Sequence, residues 1–337
     1  MLYLAAGNIS FEGTWGAIKQ ADWWVIWPYL LAMAGQHFFR SLRWHFLLAP
    51  IHKVSLKKIF VVASVGFFAI LALPLRMGEF VRPILIAEPP HLRVSQGLGT
   101  MAVERIFDGI FLSVTAFIVI ASAQQRTEVP EWITATGWIA LVLFLTALVV
   151  LVMALWQRDR AVSLCHAIFK IFSVRLADKA ASLAHGIVDG FKVLPDFKRV
   201  FLFSTCTAGY WLLNIVALWF LAKGFHLDLT FSGALGFMSL LGIGIMVPAG
   251  PGFIGNYELF AEGALHIYIQ PAILAKWGPA YIVTSHAVNA LWYILLGLLA
   301  MMSPQVSFKG LWRASTEDQK DEDLEGAVAT ESETTGQ

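Results

Sequence analysis

The sequence is poor in charge, in cysteine and in every signature of nucleotide or metal chemistry. Charged residues make up 14% of the 337 positions, against about 25% in an ordinary soluble domain. That shortage excludes a soluble enzyme built around a water-filled cleft and a nucleic-acid binder built on a basic face. Only Cys165 and Cys206 are present. Neither sits in a C-x-x-C, so a disulfide scaffold is excluded and both read as plain buried thiols. No G-x-x-x-x-G-K-[ST] occurs. Gly242–Val247 (GIGIMV) holds two glycines of a dinucleotide fingerprint but lies inside an apolar run with no strand before it. The nine histidines are scattered, with no H-E-x-x-H and no ligand pair at i, i+4. No metal and no cofactor are expected. His37, His45 and His52 read as interfacial.

What is abundant is apolar. Hydrophobic residues reach 58% and mean hydropathy is +0.67, the composition of a polytopic membrane protein. Apolar stretches long enough to span about 30 Å of hydrocarbon occur at Trp23–Phe39 (extending toward Leu48), Ile59–Leu75, Gly97–Ala123, Trp132–Trp156, Val200–Ala222, Phe231–Val247 and Ala280–Met302, with a shorter piece at Tyr257–Ile269. The expected fold is an all-α membrane bundle of about 6–8 spans. Trp23, Trp24, Trp27, Trp132, Trp138 and Trp156 cluster near span ends as an aromatic belt. Gln157–Arg199 is polar and too short for a catalytic domain. Leu164, Ile168, Ile171 and Leu176 recur in it at irregular helical spacing, which predicts one or two amphipathic helices on the membrane surface.

Three parts follow: residues 1–22, an extracytoplasmic segment in which Met1–Ala6 resembles the remnant of a first helix; the transmembrane domain 23–302; and an acidic tail, 303–337. Beyond Arg313 the tail carries eight acids and one lysine and no aromatic residue. It cannot bury enough to offset ordering entropy and is expected to be disordered. Removing it leaves 23 Lys+Arg against 15 Asp+Glu, a membrane body of about +8.

Cytoplasmic loops of membrane proteins are enriched in Lys and Arg. Arg40–Lys58 has five Lys/Arg and no acid, and Gln157–Val200 has eight against four Asp. These and the start of the tail are placed in the cytoplasm, and Gln124–Glu131 and Gly224–Thr230 outside. The location expected is a bacterial inner membrane with a cytoplasmic C-terminus. Two apolar segments then lie between an inside loop and an outside loop, where parity demands an odd number of crossings. One of them does not cross. Ile59–Ala87, broken at Pro74, is the candidate hairpin entering from the cytoplasm. Phe231–Ile269, broken at Pro248–Asn256, is a candidate hairpin entering from outside. Two re-entrant hairpins of opposite orientation would build a site near the bilayer midplane.

Three motifs could carry chemistry. In LPLRMGEFVRP (Leu73–Pro83), Arg76, Glu79 and Arg82 share a broad helical face. Arginine offers a planar fork that fits phosphate oxygens, and Glu79 can hold one fork when no ligand is present. The alternative is a set of interfacial anchors. In VERIFD (Val103–Asp108), Glu104, Arg105 and Asp108 crowd one turn of an apolar segment and demand partners, for which Arg76 and Arg82 are the candidates. The alternative is a structural polar knot. In IMVPAGPGFIGNYE (Ile245–Glu258), two prolines and three glycines forbid regular helix, and freed N–H groups would favour an anion. Gly250, Gly252, Gly255 and Glu258 are the candidates there; the alternative is an ordinary turn.

With LRWHFLL (Leu42–Leu48), these stretches make the chain resemble the lysylphosphatidylglycerol synthase transmembrane-region family, the flippase-like or YbhN-like membrane proteins. The resemblance covers nearly all of residues 23–302. It departs at Gly250-Pro251-Gly252, where the family usually has adjacent glycines. It implies movement between leaflets of an anionic phospholipid, a polyprenyl-phosphate-linked lipid or a hopanoid-type lipid. Some relatives carry a fused aminoacyl transferase, for which this chain has no room. Two alternatives remain: a non-transporting subunit scaffolding a lipid-modifying enzyme, marked by an exposed apolar face on Gln157–Arg199, and a membrane transferase using Glu79 or Asp108 as base. Self-association is left open. Without an ATP motif, active transport would draw on an ion gradient or a partner.

Overall fold

The computed structural model describes residues 11–88, 91–123, 129–247 and 250–306. Met1–Ala6, most of Gln124–Glu131 and the tail from 307 onward lie outside the described residues. The described chain is helical, with no strand: α1 (Phe11–Gln20), α2 (Ile26–Leu48), α3 (Leu56–Ala72), α4 (Val81–Ile86), α5 (Val94–Ala123), α6 (Glu131–Trp156), α7 (Arg158–Lys170), α8 (Val174–Asp189), α9 (Phe197–Gly224), α10 (Phe231–Met246), α11 (Asn256–Tyr268) and α12 (Pro271–Met301). Helix α6, α9 and α12 are each long and apolar enough to cross a membrane, and α10 is a shorter apolar helix. On α6, Ile139, Val142, Leu143, Val149 and Val150 all point outward. In water such a face would be costly; against hydrocarbon it is the expected surface. The six belt tryptophans are likewise exposed, from Trp132 at 41% to Trp156 at 84%.

Local chemistry sets the helix starts. The Ser55 side chain accepts from the Lys58 N–H, Asp196 from Arg199 and Thr230 from Gly233, each satisfying an orphan donor of a first turn. Leu73 ends α3 in an extended conformation because Pro74 follows it. The chain then turns through a 3-10 segment, Pro74–Phe80, before α4. Helices α3 and α4 therefore form one hairpin. The second consists of α10, a short 3-10 turn at Pro251–Phe253, and α11. The tips of the two hairpins touch.

Two apolar cores fill the bundle. One gathers the first half of α2, the second halves of α5 and α9, and α10 to α12. The other gathers the end of α2, the start of α3, α4, the first half of α5 and the segment after α8. Between them lies a layer of buried charge. Glu104 and Asp108 sit about 15–21 Å along α5 at 1.5 Å per residue, toward the middle of this 30-residue helix.

The expected amphipathic region is two helices, α7 and α8, packed on each other, with α8 also against α5. Asp189 fastens them: its carboxylate receives Arg158 at 2.5 Å, Arg93 at 3.0 Å and Lys192 at 3.3 Å. Burial pushes this carboxyl up, but the hydrogen bond and charge of Lys192, with Arg158 and His185, outweigh it and hold the group below the ordinary aspartate range. Leu164, Ile168, Ile171, Phe172 and Leu183 remain exposed on this pair. Cys206 is buried as expected, whereas Cys165 is only half-buried.

Candidate functional site

The charged layer is built from α2, the first hairpin and α5. Arg43 donates both terminal nitrogens to Asp108, at 2.6 and 2.8 Å, in a fork-to-fork pair. Its Nε lies 3.6 Å from Glu104. Arg82 donates to the two oxygens of Glu104 at 2.8 and 3.4 Å. Its guanidinium lies 4.1 Å from the Trp44 ring. Arg43, Arg82 and Glu104 are fully buried and Asp108 nearly so. The sequence reading offered Arg76 and Arg82 as partners for both acids. Arg82 does take Glu104, but Asp108 belongs to Arg43, a residue given no site role from sequence. His37 is corrected as well. It is buried rather than interfacial, bonded to Ser64 at 2.9 Å and ringed by Phe60 and Phe67.

Gly66 on α3 makes room for this layer, because a Cβ there would fall on the methylene stem of Arg82. Gly66→Ala is expected to cost about 1–3 kcal/mol through overpacking. The readout is thermal unfolding in detergent. Gly16→Ala, in open space, should be neutral or stabilise by up to about 1 kcal/mol.

Arg76 occupies the tip of the first hairpin. Leu75 and Arg76 both have left-handed backbones, φ 53° and 60°. Two non-glycine residues in succession there carry strain of about 1–3 kcal/mol each. The turn aims Arg76 at the second hairpin, where it donates to the Ile245 carbonyl at 2.5 Å, and back to Glu79 at 2.8 Å through Nε. Glu79 thus holds an arginine, as read from sequence. Arg105 lies 4.0 Å from Glu79 and 3.6 Å from Asp108.

A cavity of about 150 Å³ opens between the hairpin tips, with Arg40, Arg76, Arg105 and Asp108 on its polar side. Arg82 and Glu104 stand behind this wall. Arg40 pairs with no carboxylate among the described residues. Its guanidinium covers the Phe67 ring at 3.7 Å and reaches the Tyr293 hydroxyl at 3.5 Å, and its buried Nε has no hydrogen-bond partner among the described residues. The Nε of Arg105 is likewise buried without one. In the layer as a whole, Arg40, Arg43, Arg76, Arg82 and Arg105 face Glu79, Glu104 and Asp108, five cations against three anions. The surplus positive charge faces the cavity. Both carboxylates that could serve a transferase as base, Glu79 and Asp108, are held by arginines.

The second hairpin supplies the opposite wall. Gly252 and Gly255 have φ of 70° and 90°, which a side chain at either position would strain. Gly250 is extended and has open space around it. Glu258 sits at the third position of α11 and accepts the Gly255 N–H at 2.7 Å, so a side chain of this protein occupies the anion position expected at that helix start. It also meets His286 of α12 at 2.6 Å. His286 escaped the sequence reading as a lone histidine in an apolar span. Beside it runs an apolar groove of about 480 Å³ between α3, the second hairpin and α12, sharing Leu71 and His286 with the cavity.

No solved structure matches the chain. A protein of Methanothermobacter thermautotrophicus described as a UPF0104 membrane protein is 24% identical over 269 residues, covering 77% of this chain and 78% of its own. The family described as the lysylphosphatidylglycerol synthase TM region matches residues 1–300. That match spans most of the 337 residues, and the chain belongs to the family of lysylphosphatidylglycerol synthase transmembrane regions.

Proposed function

We propose that the protein moves an anionic phospholipid or a phosphate-linked lipid between leaflets, as a flippase or scramblase of a bacterial inner membrane. The observation that carries this reading is the cavity lined by Arg40, Arg76 and Arg105 with surplus positive charge, adjoining an apolar groove. A phosphate can take two parallel hydrogen bonds from a guanidinium, and the groove offers an apolar path for an acyl chain. In this reading Arg76, Arg105 and Arg40 meet the headgroup. Arg82, Glu104, Arg43 and Asp108 fix their positions, and Gly250, Gly252, Gly255 and Glu258 shape the far wall.

The test is reconstitution of the purified chain in liposomes with head-group-labelled phosphatidylglycerol, followed by quenching from outside. Loss of the protected inner-leaflet signal, absent from empty liposomes, supports the reading. Retention of that signal with folded protein present would sink it. A second reading, a subunit that scaffolds a lipid-modifying enzyme, draws on the exposed apolar side chains of α7 and α8. Lipid movement by the purified chain alone would retire it.

The two hairpins are proposed to be re-entrant, the first from the cytoplasm and the second from outside, with the C-terminus cytoplasmic. Single cysteines at Phe80 and Phe253, in a Cys165→Ser/Cys206→Ser background, should react with an impermeant maleimide from opposite faces. Reaction of both from one face contradicts that topology.

A further inference from the structure

His286 is the one described residue that borders both the arginine-lined cavity and the apolar groove while bonding to the loop between them. Its two ring nitrogens face two acceptors. Nδ1 lies 2.6 Å from Oε1 of Glu258, and Nε2 lies 2.7 Å from the carbonyl oxygen of Gly252. A neutral imidazole carries one N–H and one lone pair. Beside a carboxylate and a carbonyl it would satisfy one acceptor and set a lone pair against the other. Both contacts are satisfied only when the pair holds one more proton, as imidazolium with carboxylate or as neutral imidazole with carboxylic acid. The geometry therefore counts protons without fixing on which atom the extra one rests.

The contacts made by that proton close the loop. Gly252 is bound by His286, and the Gly255 N–H by Oε2 of Glu258, so both left-handed glycines of the turn are fastened to the same dyad. Phe253 between them is also left-handed, at φ 59°, and its ring lies 5.6 Å from the Arg76 guanidinium. This strained turn is the partition between cavity and groove.

Titratable and polar groups pack around the dyad from several elements, and on α11 Glu262 and His266 share a further cavity with Glu258. From α11 the Tyr257 ring stacks on it at 4.2 Å, with its hydroxyl bonded to Ser285. From α2 the Tyr29 hydroxyl reaches the Ser285 carbonyl. Across the cavity stand Arg40 of α2, Arg76 of the first hairpin, Arg105 and paired Asp108 of α5, Tyr210 of α9 and, on its own helix, Tyr293. Helix α3 presents only apolar Phe68, Leu71 and Ala72 to the groove. Phenols and guanidiniums keep one protonation state through the neutral range.

We propose that His286 and Glu258 form a proton-binding latch on the second hairpin, closed when it holds its extra proton. Loss of that proton to cavity water breaks one of the two contacts and opens the passage from arginine-lined cavity to apolar groove. This rests on the lipid-transport reading, to which it adds the coupling ion.

Glu258→Gln discriminates sharply. A glutamine can accept the Gly255 N–H through its oxygen and donate its amide to Nδ1 of a neutral imidazole, whose Nε2–H still serves Gly252. The latch then closes with a neutral imidazole and does not open as pH rises. His286→Gln removes the titrating ring altogether. The reporter is Gly250→Cys in the Cys165→Ser/Cys206→Ser background, carrying an environment-sensitive fluorophore; the space around Gly250 is open and its backbone suits any residue. In detergent, emission should report opening as pH rises, a one-proton transition between about pH 5 and about pH 8, and neither variant should open as pH rises. Flat emission in the parent, or an unchanged transition in either folded variant, overturns the latch. Glu258→Gln keeps every contact of the loop and is the deciding variant if His286→Gln does not fold. In liposomes the parent should move lipid faster at the alkaline end, and Glu258→Gln should lose about tenfold of that rate, the effect of ~1.4 kcal/mol. Titrating emission with no lipid movement at any pH retains the latch and removes the transport reading. Lipid movement with flat emission does the reverse.

Discussion

Arg43→Met is expected to lower the unfolding temperature in detergent by about 10 °C, because it strands Asp108 at a cost of roughly 3–5 kcal/mol. Asp108 is almost wholly buried, and Arg43 supplies its two shortest bonds. What remains is the Trp211 N–H at 3.2 Å and Arg105 at 3.6 Å, too little to replace a forked pair. Arg43→Lys should recover less than half the loss, since an ammonium cannot make two parallel bonds and also approach Glu104. The double variant Arg43→Met/Asp108→Asn removes both charges and keeps an acceptor for Trp211. It should return to within about 1 kcal/mol of the parent, as replacement of a whole buried pair does. Failure of the double variant to recover would show that Arg43 stabilises the bundle by packing rather than by pairing.

Arg40→Gln carries the opposite expectation. Its charge has no carboxylate partner among the described residues, and it stands in a layer already rich in guanidiniums, so neutralising it relieves repulsion. Unfolding temperature should hold or rise. Lipid movement in the liposome assay should fall about ten- to a hundredfold, the worth of a charge-assisted bond of ~1.5–3 kcal/mol to a phosphate. Arg40→Lys should restore part of the rate. A stable Arg40→Gln that moves lipid at the parental rate would take the headgroup site away from Arg40. The two arginines lie three residues apart on α2, so contrasting outcomes would separate pairing from ligand contact within one helical turn.

Most spans could be read from the sequence because hydrocarbon dictates length and composition together. The break at Pro74 followed from one ring and its effect on Leu73. Glu258 was placed in the first turn of a half-helix from the glycines that precede it. The charged layer was legible only in part. Arg76–Glu79 and Arg105–Asp108 are three residues apart, and local spacing reports such pairs. Arg43–Asp108 is 65 residues apart, and spacing says nothing about it. Arg40 and Arg43 also lie at the basic end of a span, where arginine ordinarily reports orientation. Their i, i+3 separation, with His37 one turn earlier, was the available sign that this face turns inward. His286 offered less still, because its partners Glu258 and Gly252 arrive from another element across 28 and 34 residues.

The distance along the chain between Arg43 and Asp108 also bears on biogenesis. Ribosomes add about 5–20 residues per second, and 65 residues separate the two charges. For about 3–13 seconds after Arg43 is made, its counter-ion does not yet exist. A lone helix that buries an unpaired arginine is poorly tolerated by lipid. Helix α2 is therefore expected to bury Arg43 only after α5 has been synthesised, with the arginine held at the interface or against protein until then. Cross-linking of stalled nascent chains should then find Arg43 buried against α5 only in chains long enough to include Asp108.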